Sequence, residues 1–194
     1  MGRTRLVVVD EFLSDPNVVR EFALSQTFNV SGNYPGTRTD SFATESLRDA
    51  IQTHLAPYGK IVHFPIGGEN GSNYNGAYQY TTSRDRSWIH TDSRNNWAGV
   101  LYLTPEAPAS SGTGFFRHRQ TGVSTSKEAK HVGCIDLLND HSQDVTRWEK
   151  VAEVGNVFNR LVLFDADQWH TSLDYFGSDK YTGRLFQTFF FSIE

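Results

Sequence analysis

Apolar residues recur along the chain first at a helical period and then at an alternating one. Val7 to Val9 form a short apolar run ending at Asp10. Ser14-Asp15-Pro16 then offers a capping carboxylate and a proline suited to a first helical turn, after which Val18, Val19, Phe22 and Ala23 share one face. A second helix is predicted from Ser46, with Asp49 three residues on, carrying Leu47, Ala50, Ile51 and Leu55 until Pro57 stops it. Between them lies the turn-forming segment Asn33-Tyr34-Pro35-Gly36-Thr37-Arg38. Its Tyr34 and Arg38 either pack locally, the preferred reading, or reach a pocket.

After Pro57 the pattern changes to short runs of β-branched and aromatic residues punctuated by Gly, Asn, Ser and Pro. Strands are predicted at Lys60–Ile66, Ala77–Thr82, Ser87–Asp92, Ala98–Thr104, Gly114–Arg117, Leu161–Asp165 and Arg184–Ile193. The segment 121–157 is least legible: Lys127–Ile135 suits a strand and Val145–Val151 a turn of helix. Strand following strand, without intervening helices, predicts a mainly β fold with flanking helices, built as a jelly-roll-like double sheet. No repeat or linker divides the chain, so one domain is expected over 1–194, with 1–58 as helical support and 59–194 as the β core.

Composition narrows the function classes. A net charge of −4 lacks the surplus of Lys and Arg that phosphate neutralisation requires, which argues against a nucleic-acid partner. No apolar run approaches a membrane span, and Leu6 stands where a myristoylation signal wants Ser or Thr. The lone Cys134 forms no intrachain disulfide, and no secretory leader follows Met1. A cytoplasmic protein without membrane attachment is the expectation; the oligomeric state is left open.

The candidate chemistry starts at Trp88-Ile89-His90-Thr91-Asp92. On a strand, His90 and Asp92 share a face with Cα atoms about 6 to 7 Å apart, close enough to converge on one ion. The pair gains weight from His170, delivered by the apolar run Leu161-Val162-Leu163-Phe164 and a short polar turn. Two histidines and one carboxylate form the facial triad that suits non-haem Fe(II) and leaves coordination positions open. Arg184 then begins the aromatic strand Arg-Leu-Phe-Gln-Thr-Phe-Phe-Phe, where a guanidinium at a pocket floor suits a dicarboxylate. The Arg117-His118-Arg119 cluster reads as a solvated strand end, His131 and His141 as surface residues, and Trp97, Trp169 and Tyr175 as core.

From Tyr78 to Ile193, the order of strand tyrosines, His90-x-Asp92, Val100-Leu101-Tyr102-Leu103-Thr104-Pro105, Gly112-Thr113-Gly114-Phe115-Phe116, His170 and Arg184 resembles the Fe(II)- and 2-oxoglutarate-dependent oxygenases, in their prolyl-4-hydroxylase-like branch. The resemblance implies a double-stranded β-helix in which His90, Asp92 and His170 hold iron and Arg184 binds the distal carboxylate of 2-oxoglutarate. It also implies that Tyr80, with Tyr78 in reserve, touches that carboxylate. Several branches carry Ser or Thr two residues after the arginine; Phe186 stands there, and Thr188 on the same predicted face is the substitute. Asp92 separates the chain from halogenating relatives, which carry a small residue at that place. The implied reaction uses O2, releases succinate and CO2, and hydroxylates a protein side chain such as proline or a small metabolite. Arg94, Asn95 and Asn96 are placed at the mouth. Two rivals stand beside this reading: a non-catalytic jelly-roll binding module, and a cupin-like metalloenzyme without 2-oxoglutarate.

Overall fold

The computed structural model describes residues 5–67, 74–92 and 94–194. In chain order the elements are β1 (Leu6–Val9), α1 (Pro16–Ser25), β2 (Thr37–Ser41), α2 (Glu45–Leu55), β3 (Ile61–His63), β4 (Ala77–Thr81), β5 (Trp97–Tyr102), β6 (Thr113–His118), α3 (Ser126–His131), α4 (Ile135–Asp140), β7 (Trp148–Val154), β8 (Leu161–Asp165), β9 (His170–Ser172) and β10 (Arg184–Ile193). Among the described residues the strands form two sheets. The larger runs β1-β8-β5-β10-β4-β2, with β3 paired to the end of β10, and the smaller runs β7-β6-β9. All of these pairings are antiparallel. Among the described residues no helix is long and apolar enough to cross a membrane.

Strand alternation divides the large sheet into two unlike faces. Leu185, Phe189 and Phe191 of β10 pack with Leu101, Leu161, Leu163 and Tyr78 against Ala23 of α1 and Ile51 and Leu55 of α2. The opposite face meets the small sheet through Ala98, Tyr102, Val162, Phe164 and Phe186, which pack on Phe115 and Val154. Outside the small sheet, Phe116, Trp148 and Trp169 pack with Ala129 of α3 and Leu138 of α4. The helices start where side chains satisfy free backbone N–H groups. Asp15 Oδ1 accepts from Val18 N at 3.2 Å with Pro16 in the first turn, and Thr44 Oγ1 accepts from Leu47 N at 3.2 Å.

Several expectations need correcting. The helix predicted from Ser46 starts one residue earlier, because Thr44 is the cap rather than Ser46. Residues 1–58 are more than helical support, since they contribute β1 and β2 to the large sheet. Within α1, Val19 and Ala23 pack inward while Val18 is 59% exposed. Lys127–Ile135 is no strand: Thr125 and Glu128 form a reciprocal capping box that nucleates α3, Gly133 leaves it at φ +70°, and α4 follows. The turn of helix expected within Val145–Val151 is the 3-10 turn Val145–Arg147, and the rest of that segment belongs to the strand Trp148–Val154. Ser87–Asp92 forms no ladder. Its amides bond in succession to three unrelated carbonyls, Ile89 to Ser142, His90 to His170 and Asp92 to Ala166, so only one bridge results.

Phe189 is fully buried between the large sheet and the helices. Phe189→Ala should therefore lower the unfolding free energy by about 3–5 kcal/mol in urea titration. Val18→Ala on the exposed side of α1 should stay within about 0.5 kcal/mol of wild type.

Candidate functional site

On the inner face of the large sheet, register brings Arg38 of β2 opposite Gln79 of β4, Gln79 opposite Phe186 of β10, Thr188 opposite Val100 of β5 and Phe190 opposite Ala98. Together with Phe164, Thr113 and His170 these residues surround an inner chamber of about 100 Å³. The chamber opens past His90 and Asp92 into an outer cleft of about 670 Å³, whose walls include Tyr34, Tyr74, Trp88 and Phe190.

His90, Asp92 and His170 stand at the junction of the two spaces. His90 and His170 exchange two backbone hydrogen bonds, N to O at 3.0 and 2.8 Å, which sets their rings 4.6 Å apart between centroids. The Asp92 amide donates to Ala166 O at 2.9 Å, bringing the carboxylate to the same place. Asp92 Oδ1 lies 4.0 Å from His90 Nε2, and Oδ2 lies 3.4 Å from His170 Nε2. One ligand atom from each residue falls within 4.8 Å of the others.

The second ring nitrogens define the chemistry. His90 Nδ1 meets Trp88 O and His170 Nδ1 meets Gln168 O, each at 2.9 Å. A carbonyl only accepts, so each Nδ1 donates to it and each ring turns its Nε2 toward Asp92. Burial and the neighbouring His170 push the His90 imidazolium below the ordinary histidine range, outweighing the pull of Asp92. Burial would raise the Asp92 carboxyl, but His170, His90 and Arg38 together hold it below its usual value. Three electron-pair donors facing one another repel unless a cation or proton lies among them. In a right-angled set with bonds of about 2.1 Å the donor atoms lie about 3 Å apart, near the closer of the observed separations. The residues fit a divalent metal.

Arg184 is 1% exposed and lies at the closed end of the chamber. Its Nε donates to Ser111 O at 2.9 Å, and its guanidinium carbon sits 4.3 Å from the Phe186 ring centroid and 5.3 Å from that of Tyr102. The nearby acidic residues Asp174 and Asp179 form no ion pair with it; Asp179 Oδ1 accepts from the Tyr181 and Thr182 amides. Thr188 lines the chamber, but its Oγ1 lies 3.3 Å from both Tyr74 O and Ala77 O, so its proton is committed to backbone.

The two tyrosines are a correction. Tyr78 and Tyr80 point to the helical side of the large sheet, where Tyr78 meets Phe22 and Phe42 and Tyr80 meets Phe28. The strand parity that puts Arg184 and Phe186 in the chamber selects Gln79 on β4 instead.

Arg38, read from sequence as packing locally, does so and also faces the site. It is 8% exposed and lines both chamber and cleft. Gly36 carries the chain into β2 at φ +73°, and a Cβ there would collide with Tyr80 O. The available signal is the alternation Thr37-Arg38-Thr39, which marks a strand with Arg38 on one face. At the mouth, Arg94 and Asn95 line the cleft, whereas the Asn96 amide is occupied by the Ile193 backbone. Trp97 and Trp169 are core. His118, read as part of a solvated strand end, is fully buried, with its Nε2 2.9 Å from His141 Nδ1.

Solved structures of other proteins share this course of the chain. A prolyl hydroxylase from Trichoplax adhaerens, solved in complex with a hypoxia inducible factor oxygen degradation domain peptide fragment, matches with a TM-score of 0.52 at 13% identity, over 96% of this chain and 82% of that one. HygX from Streptomyces hygroscopicus, solved with nickel, 2-oxoglutarate and hygromycin B, matches with a TM-score of 0.53 at 11% identity, over 95% and 81%. At such identities the likeness is one of fold. No curated protein matches the chain in sequence. The mainly β architecture is thus the double-stranded β-helix of the 2-oxoglutarate oxygenases, and through a family model matching residues 1–191 the chain belongs to DUF6445, a family of unknown function.

Proposed function

We propose that the chain is an Fe(II)- and 2-oxoglutarate-dependent dioxygenase, a single oxygenase domain over 1–194 acting in the cytoplasm. The observation that carries the proposal is the convergence of His90 Nε2, His170 Nε2 and the Asp92 carboxylate, with both Nδ1 atoms tied to backbone carbonyls. Those three residues would hold the iron. When bound, iron supplies O2 activation coupled to oxidative decarboxylation of 2-oxoglutarate and hydroxylation of a C–H bond.

The chain's own part is to bind, orient and exclude water. Arg184 faces no carboxylate among the described residues, and its planar fork offers the distal carboxylate of 2-oxoglutarate a charge-assisted pair at the closed end of the chamber. Ala98, Val100, Phe164, Phe186 and Phe190 line the space between Arg184 and the triad and limit water there. The Thr113 hydroxyl, 2.7 Å from the Tyr102 hydroxyl, is a further polar group on the chamber wall. The outer cleft admits the prime substrate past His90 and Asp92. A peptide in one fold neighbour and hygromycin B in the other support substrates of either kind, a protein side chain or a small metabolite.

With Fe(II), O2 and ascorbate, the protein should convert 2-oxoglutarate to succinate; no conversion, together with no 2-oxoglutarate binding, would favour the cupin-like or non-catalytic reading. Asp92→Ala removes the only anionic ligand and should weaken anaerobic Mn(II) binding more than about 100-fold while the circular dichroism spectrum is retained. Equal Mn(II) affinities would remove Asp92 from the site.

Arg184→Ala should keep the metal and lose 2-oxoglutarate affinity by about 30-fold to several thousand-fold, the equivalent of about 2 to 5 kcal/mol for a desolvated charge pair. Arg184→Lys should recover only part, because a point charge replaces a fork. Tyr80→Phe should leave 2-oxoglutarate affinity within about 2-fold, since its ring packs on Phe28 across the sheet from the chamber. Calorimetry on the Mn(II)-loaded proteins measures all three.

A further inference from the structure

We infer that Arg38 docks a carboxylate of the prime substrate, so that the substrate is a small organic acid entering through the outer cleft. The inference rests on the oxygenase reading for the reaction of the bound acid, and on Arg38 and its surroundings for binding itself.

Position comes first. Arg184 lines only the inner chamber, whereas Arg38 lines both chamber and cleft, beside the triad and on the side from which a substrate enters. The charge balance comes second. Among the described residues lining the two spaces, Arg38, Arg94 and Arg184 face a single carboxylate, Asp92, which the two histidines already engage. One dicarboxylate at Arg184 leaves the outer half with two cations, Arg38 and Arg94, against the single Asp92 carboxylate that the triad also uses.

The third observation is how Arg38 is held. Its Nε donates to Gln79 Oε1 at 2.5 Å, and Gln79 Nε2 donates in turn to Pro35 O at 2.6 Å. The guanidinium carbon lies 3.8 Å from the Tyr34 ring centroid, 5.2 Å from that of Tyr74 and 5.7 Å from that of Phe190. Stacking and one anchored nitrogen fix the plane of the fork, while no hydrogen bond engages its terminal nitrogens among the described residues. Burial pulls the guanidinium down to about 10, still well above neutral pH, so Arg38 remains charged. A cation kept from water, with both terminal nitrogens unspent beside a cavity, is a preorganised anion site.

The surroundings describe the occupant. A planar fork of fixed orientation matches a planar carboxylate. Tyr74, Trp88 and Phe190 give the rest of the molecule an aromatic wall, and a cleft of about 670 Å³ suits a small molecule.

The test compares acids with their neutral amides on the full chain loaded with Zn(II) and saturating 2-oxoglutarate. Acetate, phenylacetate, N-acetylglycine and N-acetylphenylalanine are each titrated beside the corresponding primary amide, by calorimetry and ligand-observed NMR. At least one acid should bind about 30-fold more tightly than its amide. Arg38→Gln should reduce that ratio to about 3-fold or less without changing 2-oxoglutarate affinity, and Arg38→Lys should retain an intermediate ratio. If Arg38→Gln fails to fold, Arg38→Lys decides, because an unchanged ratio would mean that the fork is not used.

The proposal is overturned if no acid outbinds its amide, if the preference survives in Arg38→Gln, or if inorganic phosphate displaces the acids at lower concentration. It is equally overturned if the loss appears in 2-oxoglutarate binding instead, which would make Arg38 a cosubstrate residue. Should the chain bind neither Zn(II) nor 2-oxoglutarate, the oxygenase reading falls, and the same comparison on the metal-free protein still decides the role of Arg38.

Discussion

The pair of backbone hydrogen bonds between His90 and His170 is the constraint on which the site depends. Two residues 80 positions apart face each other across one isolated antiparallel bridge, and such a bridge puts both side chains on the same side of the backbone. Each imidazole is then turned by the carbonyl two residues before it, Trp88 for one and Gln168 for the other. The same local device, used twice, sets both tautomers and points both Nε2 lone pairs at one place. Asp92 joins them because its own amide is held by Ala166 O, in the turn that delivers His170. The donor set is therefore built from backbone geometry, and little is left to side-chain freedom.

Electrostatics then divides the cavity along its length. Around the triad the donors are one carboxylate and two imidazole Nε2 atoms, a set that suits a cation. Away from it, in both directions, the polar groups are guanidiniums stacked on aromatic faces: Arg184 over Phe186 and Arg38 against Tyr34. Each also has its Nε tied to an oxygen, of Ser111 and of Gln79. Two oriented cationic arms on either side of the triad suit anionic ligands, and the apolar walls between the arms would strengthen each charge-assisted pair by keeping water out.

The legible and illegible parts of the sequence differ for physical reasons. Leu161–Asp165 and Arg184–Ile193 are readable because they are largely buried on both faces and rich in β-branched and aromatic residues, and the pairing of His90, Asp92 and His170 is readable from their order. Asp15 announces α1 because a cap is a local interaction. Ser87–Asp92 misleads because its extended conformation comes from three separate partners, which no window of sequence contains. Tyr78 and Tyr80 mislead for a different reason: a family pattern supplies the residue type, whereas the parity of β4 against β10 supplies the direction, and that parity puts Gln79 in the chamber. β2 is hidden by the turn chemistry of Pro35-Gly36 beside it, and α3 by the apolar content of Lys127–Ile135, although Thr125 and Glu128 carry its capping signal.

The placement of β2 has the widest consequence. The sequence pattern leads one to expect the first 58 residues to brace the β core from outside, yet β2 hydrogen-bonds to β4 and carries a charged side chain into the cavity. At 11 to 13% identity the fold neighbours share the course of the chain and little of its sequence. The double sheet accounts for the triad and Arg184, which sit on or beside strands of the core. What would distinguish one such protein from another are the groups brought in at the rim, here Arg38 on an outermost strand of the large sheet and the aromatic side chains around it. β2 has one strand neighbour, β4, and on its other side only the single bridge between Arg38 and Val30, so its inward residues face fewer partners than those of a central strand. The two sheets thus set the triad and Arg184 from the core of the fold, while β2 brings Arg38 to the same cavity from the end of the large sheet.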